Sequence, residues 1–417
     1  MVKKFPDFIT ISVDYYNLEE KRNLSDYFAA KEIAKIVSEP LVIPTAEFLT
    51  YYLFDRQRDN QKVYPNYRTI RKKIGSALNE IEGFIVFNSQ SICLDPTRTR
   101  SRKHVTQFVA ESIGLSVVGR FHGLIESDWI AIPEGGKKTF DYEIASTGKE
   151  IIQVEAKGSA VKDNQNPDDK KVKKQKALLD IKKKKLEELK GEDNDPHPAD
   201  IRYGTITAID PREEGLIKCW LTDPDSEPIK YTPERLRLFA RLKFLRDMII
   251  LISPRSQFPS ALNTRIGCLE HIRDVLELNE IPLKRVNGDL FDFSLNSLTD
   301  QNTSFFANKS KIINGSGGGI TLKISEKTFF FLGIQEELLT IAAKQNFELI
   351  TKQKFEAMTQ DDEVDCYFDL DNFKRLGSDI LLSIKPTIFK HHVRFNLKGQ
   401  LHYSSSGIIF GLLTVPE

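Results

Sequence analysis

Cysteine at zinc spacing, a long apolar run and an excess of charge of one sign are all missing from this chain. Its four cysteines, Cys93, Cys219, Cys268 and Cys366, are scattered through 417 residues. None forms a CxxC pair or stands near a histidine at zinc spacing, which argues against a structural zinc site. They read as small hydrophobes in a reducing compartment. No stretch approaches the roughly 20 apolar residues of a membrane span, and Met1-Val-Lys-Lys-Phe-Pro6 is not followed by a signal-type apolar region. The expectation is a soluble cytoplasmic protein with no membrane partner. Lys and Arg number 60 against 59 Asp and Glu, a net charge of +1. Any surface for nucleic acid must therefore be local. The Gly-rich segment 314–320 lacks a following Gly-Lys-Ser/Thr, so it reads as a hairpin or loop and not as a phosphate cradle. No internal repeat is present.

What the chain does have is a patterned stretch at residues 139–158. It reads as two short strands joined by the turn Thr147-Gly148-Lys149, where glycine supplies positive φ at no steric cost. A three-residue loop pairs Ser146 with Glu150. Counting outward sets Asp141 opposite Glu155, with Cβ atoms about 5 Å apart. In the second strand Ile152, Val154 and Ala156 form an apolar row, and Gln153, Glu155 and Lys157 a polar one. Glu143 shares the face of Asp141 and is a candidate for an extra ligand or for a group that supports the ligands from behind. Two opposed carboxylates are unfavourable unless a positive charge lies between them. A divalent cation with oxygen ligands, Mg²⁺ or Mn²⁺, meets that need. An adjacent lysine then orients water or stabilises charge on a phosphate, the equipment of metal-assisted phosphodiester hydrolysis.

Asp141 followed by Glu155-Ala156-Lys157 resembles the PD-(D/E)xK nuclease superfamily. Phe140 stands where that family usually has proline. Upstream, residues 108–114 carry Glu111 on an apolar helix like the family's first core helix. Downstream, Lys174-Gln175-Lys176 falls on a helix where the family often has a supporting Gln or Lys. The order helix-Glu, strand-Asp, turn, strand-Glu-x-Lys, helix, strand carries more of the resemblance than the short motif does. It covers about a third of the chain.

The resemblance implies an α/β fold: a restriction-endonuclease-like core, meaning a mixed central sheet flanked by helices, with additional N-terminal and C-terminal α+β regions. It implies a Mg²⁺- or Mn²⁺-dependent endonuclease acting on DNA, in restriction or phage defence. Asp141, Glu155, Glu111 and the Ala156 carbonyl are the implied metal ligands. Asp141, Glu155, Lys157 and Glu111 are the candidate catalytic residues, with Lys157 positioning water or stabilising the phosphate. Arg98, Arg100, Arg102, Lys103 and Gln175 are candidate nucleic-acid contacts. Two other readings compete. One is a solvated hairpin whose polar row faces water. The other is a non-catalytic nucleic-acid-binding or scaffold subunit that keeps the fold.

The length favours two or three domains. The expected division is 1–96, a possible nucleic-acid or partner-contact region; 97–252, the nuclease-like domain; and 253–417, an α+β domain that binds partners, selects substrate or oligomerises. In the first region, 9–13 reads as a strand, 24–38 and 45–54 as helices, and 83–87 as a buried strand. Residues 56–73 interleave cations with aromatics, a pattern suited to nucleic acid but commoner on a solvated surface. In the second, 128–133 reads as the first core strand and 170–189 as a helix. Lys182 to Lys185 splay around that helix, so most face solvent. Strands are expected at 203–209 and 215–221, and a helix at 233–251. In the third, 320–324, 328–332 and 408–415 read as strands, and 335–345 and 352–358 as helices. Asp361 to Asp365 reads as an exposed acidic loop, and His391-His392 as a structural pair.

Overall fold

The computed structural model describes residues 4–26, 29–54, 67–95, 103–132, 142–146, 149–188, 199–210, 215–225, 233–252, 258–269, 304–308, 316–325, 327–369, 387–389 and 392–415. The chain divides into two compact units. The first holds Phe5–Val63 and Lys72–Arg237; the second holds Met1–Lys4, Tyr64–Arg71 and Leu238–Glu417. Most of the residues before 96 and those of 97–237 fall in one unit. The physical reason lies in the pairing of strands far apart in sequence.

In the first unit, β1 (Phe8–Tyr15) alternates as expected, burying Ile9, Ile11 and Val13. Helix α1 (Leu18–Ser25) is capped by Asn17, whose side chain accepts from the Glu20 amide at 2.9 Å. The single helix expected over 24–38 is instead the end of α1 followed by α2 (Ala30–Ser38). The Asp26 amide turns back to the Asn23 carbonyl and closes the first helix. Strand β2 (Leu41–Pro44) leads into α3 (Thr45–Phe54), which is buried at every position, Glu47 included, whose carboxylate accepts from Arg120 at 3.1 Å. Helix α4 (Tyr67–Phe84) takes in Gly83 and Phe84, so the strand expected over 83–87 shortens to β3 (Ile85–Phe87), paired with β4 (Ile92–Leu94).

The remaining elements are α5 (Lys103–His122), β5 (Trp129–Ala131), β6 (Tyr142–Ser146), β7 (Glu150–Ala160), α6 (Lys170–Glu188), β8 (Ile201–Ile209) and β9 (Ile217–Asp225). The sheet runs β2-β1-β9-β8-β7-β6-β5. Strand β7 is parallel to β8 and β1 to β9; the other neighbours are antiparallel. Because β1 bonds β9, which is some 200 residues later, the N-terminal segment completes the same sheet as the 97–252 segment.

Helix α5 covers the face that carries Ala156 and Gly158. A Cβ on Gly158 would stand 2.4 Å from the Thr106 carbonyl oxygen, and one on Gly114 would stand 2.4 Å from Thr205 Oγ1. The two glycines let helix and strand approach this closely. Helix α6 covers the opposite face. Its Val172 and Leu179 join Val161, Ile206, Ala208 and Trp220 in one apolar cluster, and each such buried side chain contributes about 1.5–3 kcal/mol.

His122, near the end of α5, is buried with its Nε2 2.9 Å from the Tyr203 hydroxyl. Burial pulls its imidazole from the ordinary 6.5 down to about 4. The folded unit thus leaves His122 neutral where the unfolded chain takes up a proton. Stability is unaffected well above pH 6.5 and is lost as pH falls from there toward 4, by about 2 kcal/mol at pH 5. Urea midpoints at pH 7 and pH 5 are expected to converge in His122→Gln relative to the wild-type chain. An acid loss of the same size in both proteins would remove this histidine as a cause.

Helix α7 (Pro233–Ile252) starts in the first unit and continues into the second, with Pro233 in its first turn. The second unit also holds α8 (Phe258–Cys268), β10 (Ser304–Asn308), β11 (Ser316–Lys323), β12 (Thr328–Ile334), α9 (Glu336–Ala343), α10 (Phe347–Lys352), β13 (Met358–Asp369), β14 (Thr387–Phe389), β15 (His392–Tyr403) and β16 (Ile408–Thr414). Strand β13 pairs with both β10 and β15, so six antiparallel strands, β10-β11-β12-β16-β15-β13, curl into a closed ring. Closure leaves no open edge on those six.

Three expectations change here. Residues 353–357 are not helical, because α10 ends at Lys352, where Arg241 donates to the Ile350 and Gln353 carbonyls at 2.6 and 2.8 Å. Asp361 to Asp365 lie on β13, and Asp362 accepts from the Tyr403 hydroxyl at 3.0 Å. Gly317 to Gly319 are strand residues paired with β10. His391 lies outside the described residues; His392 begins β15.

Candidate active site

The β6–β7 hairpin has the register expected from its turn. Ser146 faces Glu150, and the pairing runs on to Tyr142 opposite Val154. Asp141 lies outside the described residues, as do Arg98, Arg100 and Arg102 and residues 56–66 of the cation-aromatic stretch. The side chain of Glu143 is likewise not described.

The polar row of β7 does not face water. Gln153 and Glu155 are buried, Glu155 completely, because α6 lies over them. An ionised carboxylate withdrawn from water requires positive partners. Lys157, two residues on along the same row, places its ammonium on Oε1 of Glu155. Lys182 of α6 places a second on Oε2. The side chains of Lys157 and Lys182 are 19% and 21% exposed. Of the 182–185 run, most of it expected to face solvent, Lys182 and Lys183 are half-buried and Lys184 and Lys185 are exposed. A neighbouring pair extends the row. Arg202 of β8, directly opposite Gln153, donates from Nε to its Oε1 at 3.0 Å and is buried.

Glu111 stands on α5, which covers the other face. Gln107, one turn earlier, donates from Nε2 to Glu111 Oε1 at 3.0 Å and to the Ala156 carbonyl at 2.8 Å. The structure thus links two of the implied ligands, Glu111 and Ala156, through a residue that sequence reasoning passed over. Glu155 and Glu111 come from helix-covered faces on opposite sides of the sheet. Gln175 donates to the Gly158 carbonyl at 3.1 Å and supports the end of β7 from α6. Lys103 opens α5 and is exposed. Asp128, acidic and nearby in sequence, is committed elsewhere: Arg237 grips both its oxygens at 3.1 and 3.2 Å.

Lys182 and Gln107 had no local signal. One is a member of a lysine run and the other an ordinary helix residue, and only the packing of α5 and α6 on β7 selects them. Among the described residues no group of three His, Cys, Asp or Glu side chains is gathered closely enough to hold a metal ion. Compared with known proteins, the chain matches no family model, and no curated protein or solved structure shows significant similarity to it.

Proposed function

We propose that the first unit is a metal-dependent phosphodiesterase of the restriction-endonuclease-like type, acting on DNA as an endonuclease. The observation that carries this is the element order α5-β5-β6-β7-α6-β8, with β7 parallel to β8 and Glu155 and Lys157 paired on one row of β7. The hairpin register supports it too, and in this reading carries on one step and brings Asp141 opposite Glu155.

The hard oxygen donors held together are the Glu111 carboxylate and the Ala156 carbonyl, through Gln107; Glu155 lies on the opposite face with an ammonium on each oxygen, so it positions charge and is not a ligand of the same ion. A Mg²⁺ or Mn²⁺ ion held there would act as Lewis acid toward a phosphate oxygen and lower the pKa of a bound water. The chain's own groups do the rest. Lys157 and Lys182 balance the charge of Glu155 and present positive charge where the phosphate gains negative charge. Gln107 fixes the Ala156 carbonyl and Glu111 relative to each other. A setting in restriction or phage defence follows from the same reading.

Supercoiled plasmid is the direct test. Nicking with Mg²⁺ or Mn²⁺ that stops with EDTA, and that falls by about 10²–10³-fold in Lys157→Ala, is the expected result. Nicking that persists in EDTA, or is equal in Lys157→Ala, overturns the assignment. One observation favours a second reading, a nucleic-acid-binding chain without turnover: two ammoniums already compensate Glu155, with no cation needed. Salt-sensitive DNA binding without nicking under any divalent metal would select it.

A further inference from the structure

Hydrolysis of a phosphodiester by water needs a proton acceptor, and the groups gathered at Glu155 do not supply a free one. Lys157 and Lys182 are ammoniums already held on a carboxylate, and that carboxylate is engaged by both. Helix α5 carries a different kind of group on its partly open face. His104, Gln107, Phe108 and Glu111 follow one another there at helical spacing. His104 precedes Gln107, which touches the Ala156 carbonyl, by three residues, or about 4.5 Å of helix rise.

The surroundings of His104 are those of an oriented base. Its Nε2 lies 3.2 Å from Oε1 of Glu80 on α4. Oε2 of Glu80 accepts from the Tyr52 hydroxyl of α3 at 3.1 Å. The Glu80 side chain is 4% exposed and that of His104 47%. The rings of Phe108 and Tyr52 meet edge-on, and the imidazole meets Phe108 the same way. A buried carboxylate on one ring nitrogen fixes the orientation and tautomer of the ring and steadies the imidazolium. The other nitrogen, Nδ1, has no hydrogen-bond partner among the described residues. Within this unit the other described imidazole, His122, is buried against Tyr203.

We propose that His104, held by Glu80 and through it by Tyr52, is the proton acceptor for the water that attacks the phosphodiester; this rests on the phosphodiesterase reading. A bond forms between the water oxygen and phosphorus as the bond from phosphorus to the departing alcohol oxygen breaks. The water proton passes to Nδ1 of His104, and the departing oxygen takes a proton from solvent. No electron is gained or lost. The charged group against the imidazole is Glu80 of α4, which also holds the Tyr52 hydroxyl of α3; on α5 itself Lys103 is its neighbour in sequence and Glu111 stands seven residues on.

The test compares metal-dependent plasmid nicking by the full-length wild-type chain, His104→Ala, His104→Gln and Lys157→Ala across pH, with and without added imidazole. His104→Gln keeps a donor toward Glu80, so it separates loss of the base from loss of the fold. His104→Ala and His104→Gln are expected to nick about 10²-fold more slowly and to lose the acid limb of the pH profile. Imidazole should restore part of the rate to His104→Ala and leave the wild-type chain unchanged. Wild-type rates in both histidine variants, with Lys157→Ala inactive, overturn this role and leave the phosphodiesterase reading standing. A slowed variant that keeps the acid limb and ignores imidazole makes His104 a structural anchor and likewise overturns it. A wild-type chain that never nicks removes the phosphodiesterase reading, and this role with it.

Discussion

Glu155→Ala is expected to destabilise the first unit by about 3 kcal/mol, the lower end of the range for breaking a buried ion cluster from one side. Removing the carboxylate leaves the ammoniums of Lys157 and Lys182 facing each other beneath α6. Their side chains retain 19% and 21% exposure, so both can turn partly toward solvent, which keeps the cost from reaching 5 kcal/mol. Both tryptophans of the chain, Trp129 and Trp220, lie in this unit, so indole fluorescence in urea follows it selectively. A companion variant, Glu155→Leu with Lys157→Met and Lys182→Met, removes all three charges at similar volume and should recover most of the loss. It should also abolish nicking. Were Glu155→Ala to unfold within about 0.5 kcal/mol of the wild-type chain, the carboxylate would not be acting as the hub of a buried cluster.

Gly158→Ala should be about as damaging, near 3 kcal/mol, for a different reason. The new methyl would lie 2.4 Å from the Thr106 carbonyl oxygen, 2.9 Å from its carbon and 3.0 Å from the Ala110 Cβ. The first two are main-chain atoms of α5, so no side chain can rotate aside. The helix must lift from β7, and Gln107 must leave the Ala156 carbonyl with it. A lower fluorescence-detected melting temperature, together with weaker nicking at temperatures where the variant is still folded, is the expected pattern. Gly75→Ala on α4 is the control. Nothing stands within 4 Å of a Cβ there, so this helix position should gain up to about 1 kcal/mol. Equal melting of Gly158→Ala and the wild-type chain would mean that α5 does not press on β7 at this point.

The hairpin was legible because everything needed to specify it is local. A glycine-containing turn and a period of two settle the pairing of Ser146 with Glu150, and the described pairs follow it to Tyr142 and Val154. Helices α3, α6 and α7 were legible from length and composition for the same reason, whereas of α5 only residues 108–114 were legible as helix. The shortened strand β3 and the break between α1 and α2 were missed, since helix ends depend on single hydrogen bonds such as Asp26 to Asn23.

The polar row of β7 shows where local reading stops. Gln153, Glu155 and Lys157 have the spacing of a water-facing row, and their sequence alone is compatible with that. Their burial was decided by α6 crossing above them and bringing Lys182 down onto Glu155.

By itself the sequence determined the short-range features: the turn, the alternation along β7, the helical faces, and which residue types stand within two or three positions of one another. Only the tertiary structure decided the pairing of β1 with β9, the closing of β13 onto both β10 and β15, and the meeting of Glu80 with His104 and of Gln107 with Ala156. Periodicity records the face a residue presents. The partner that covers that face is set by chain segments tens to hundreds of residues away, whose contacts leave no mark in any local window.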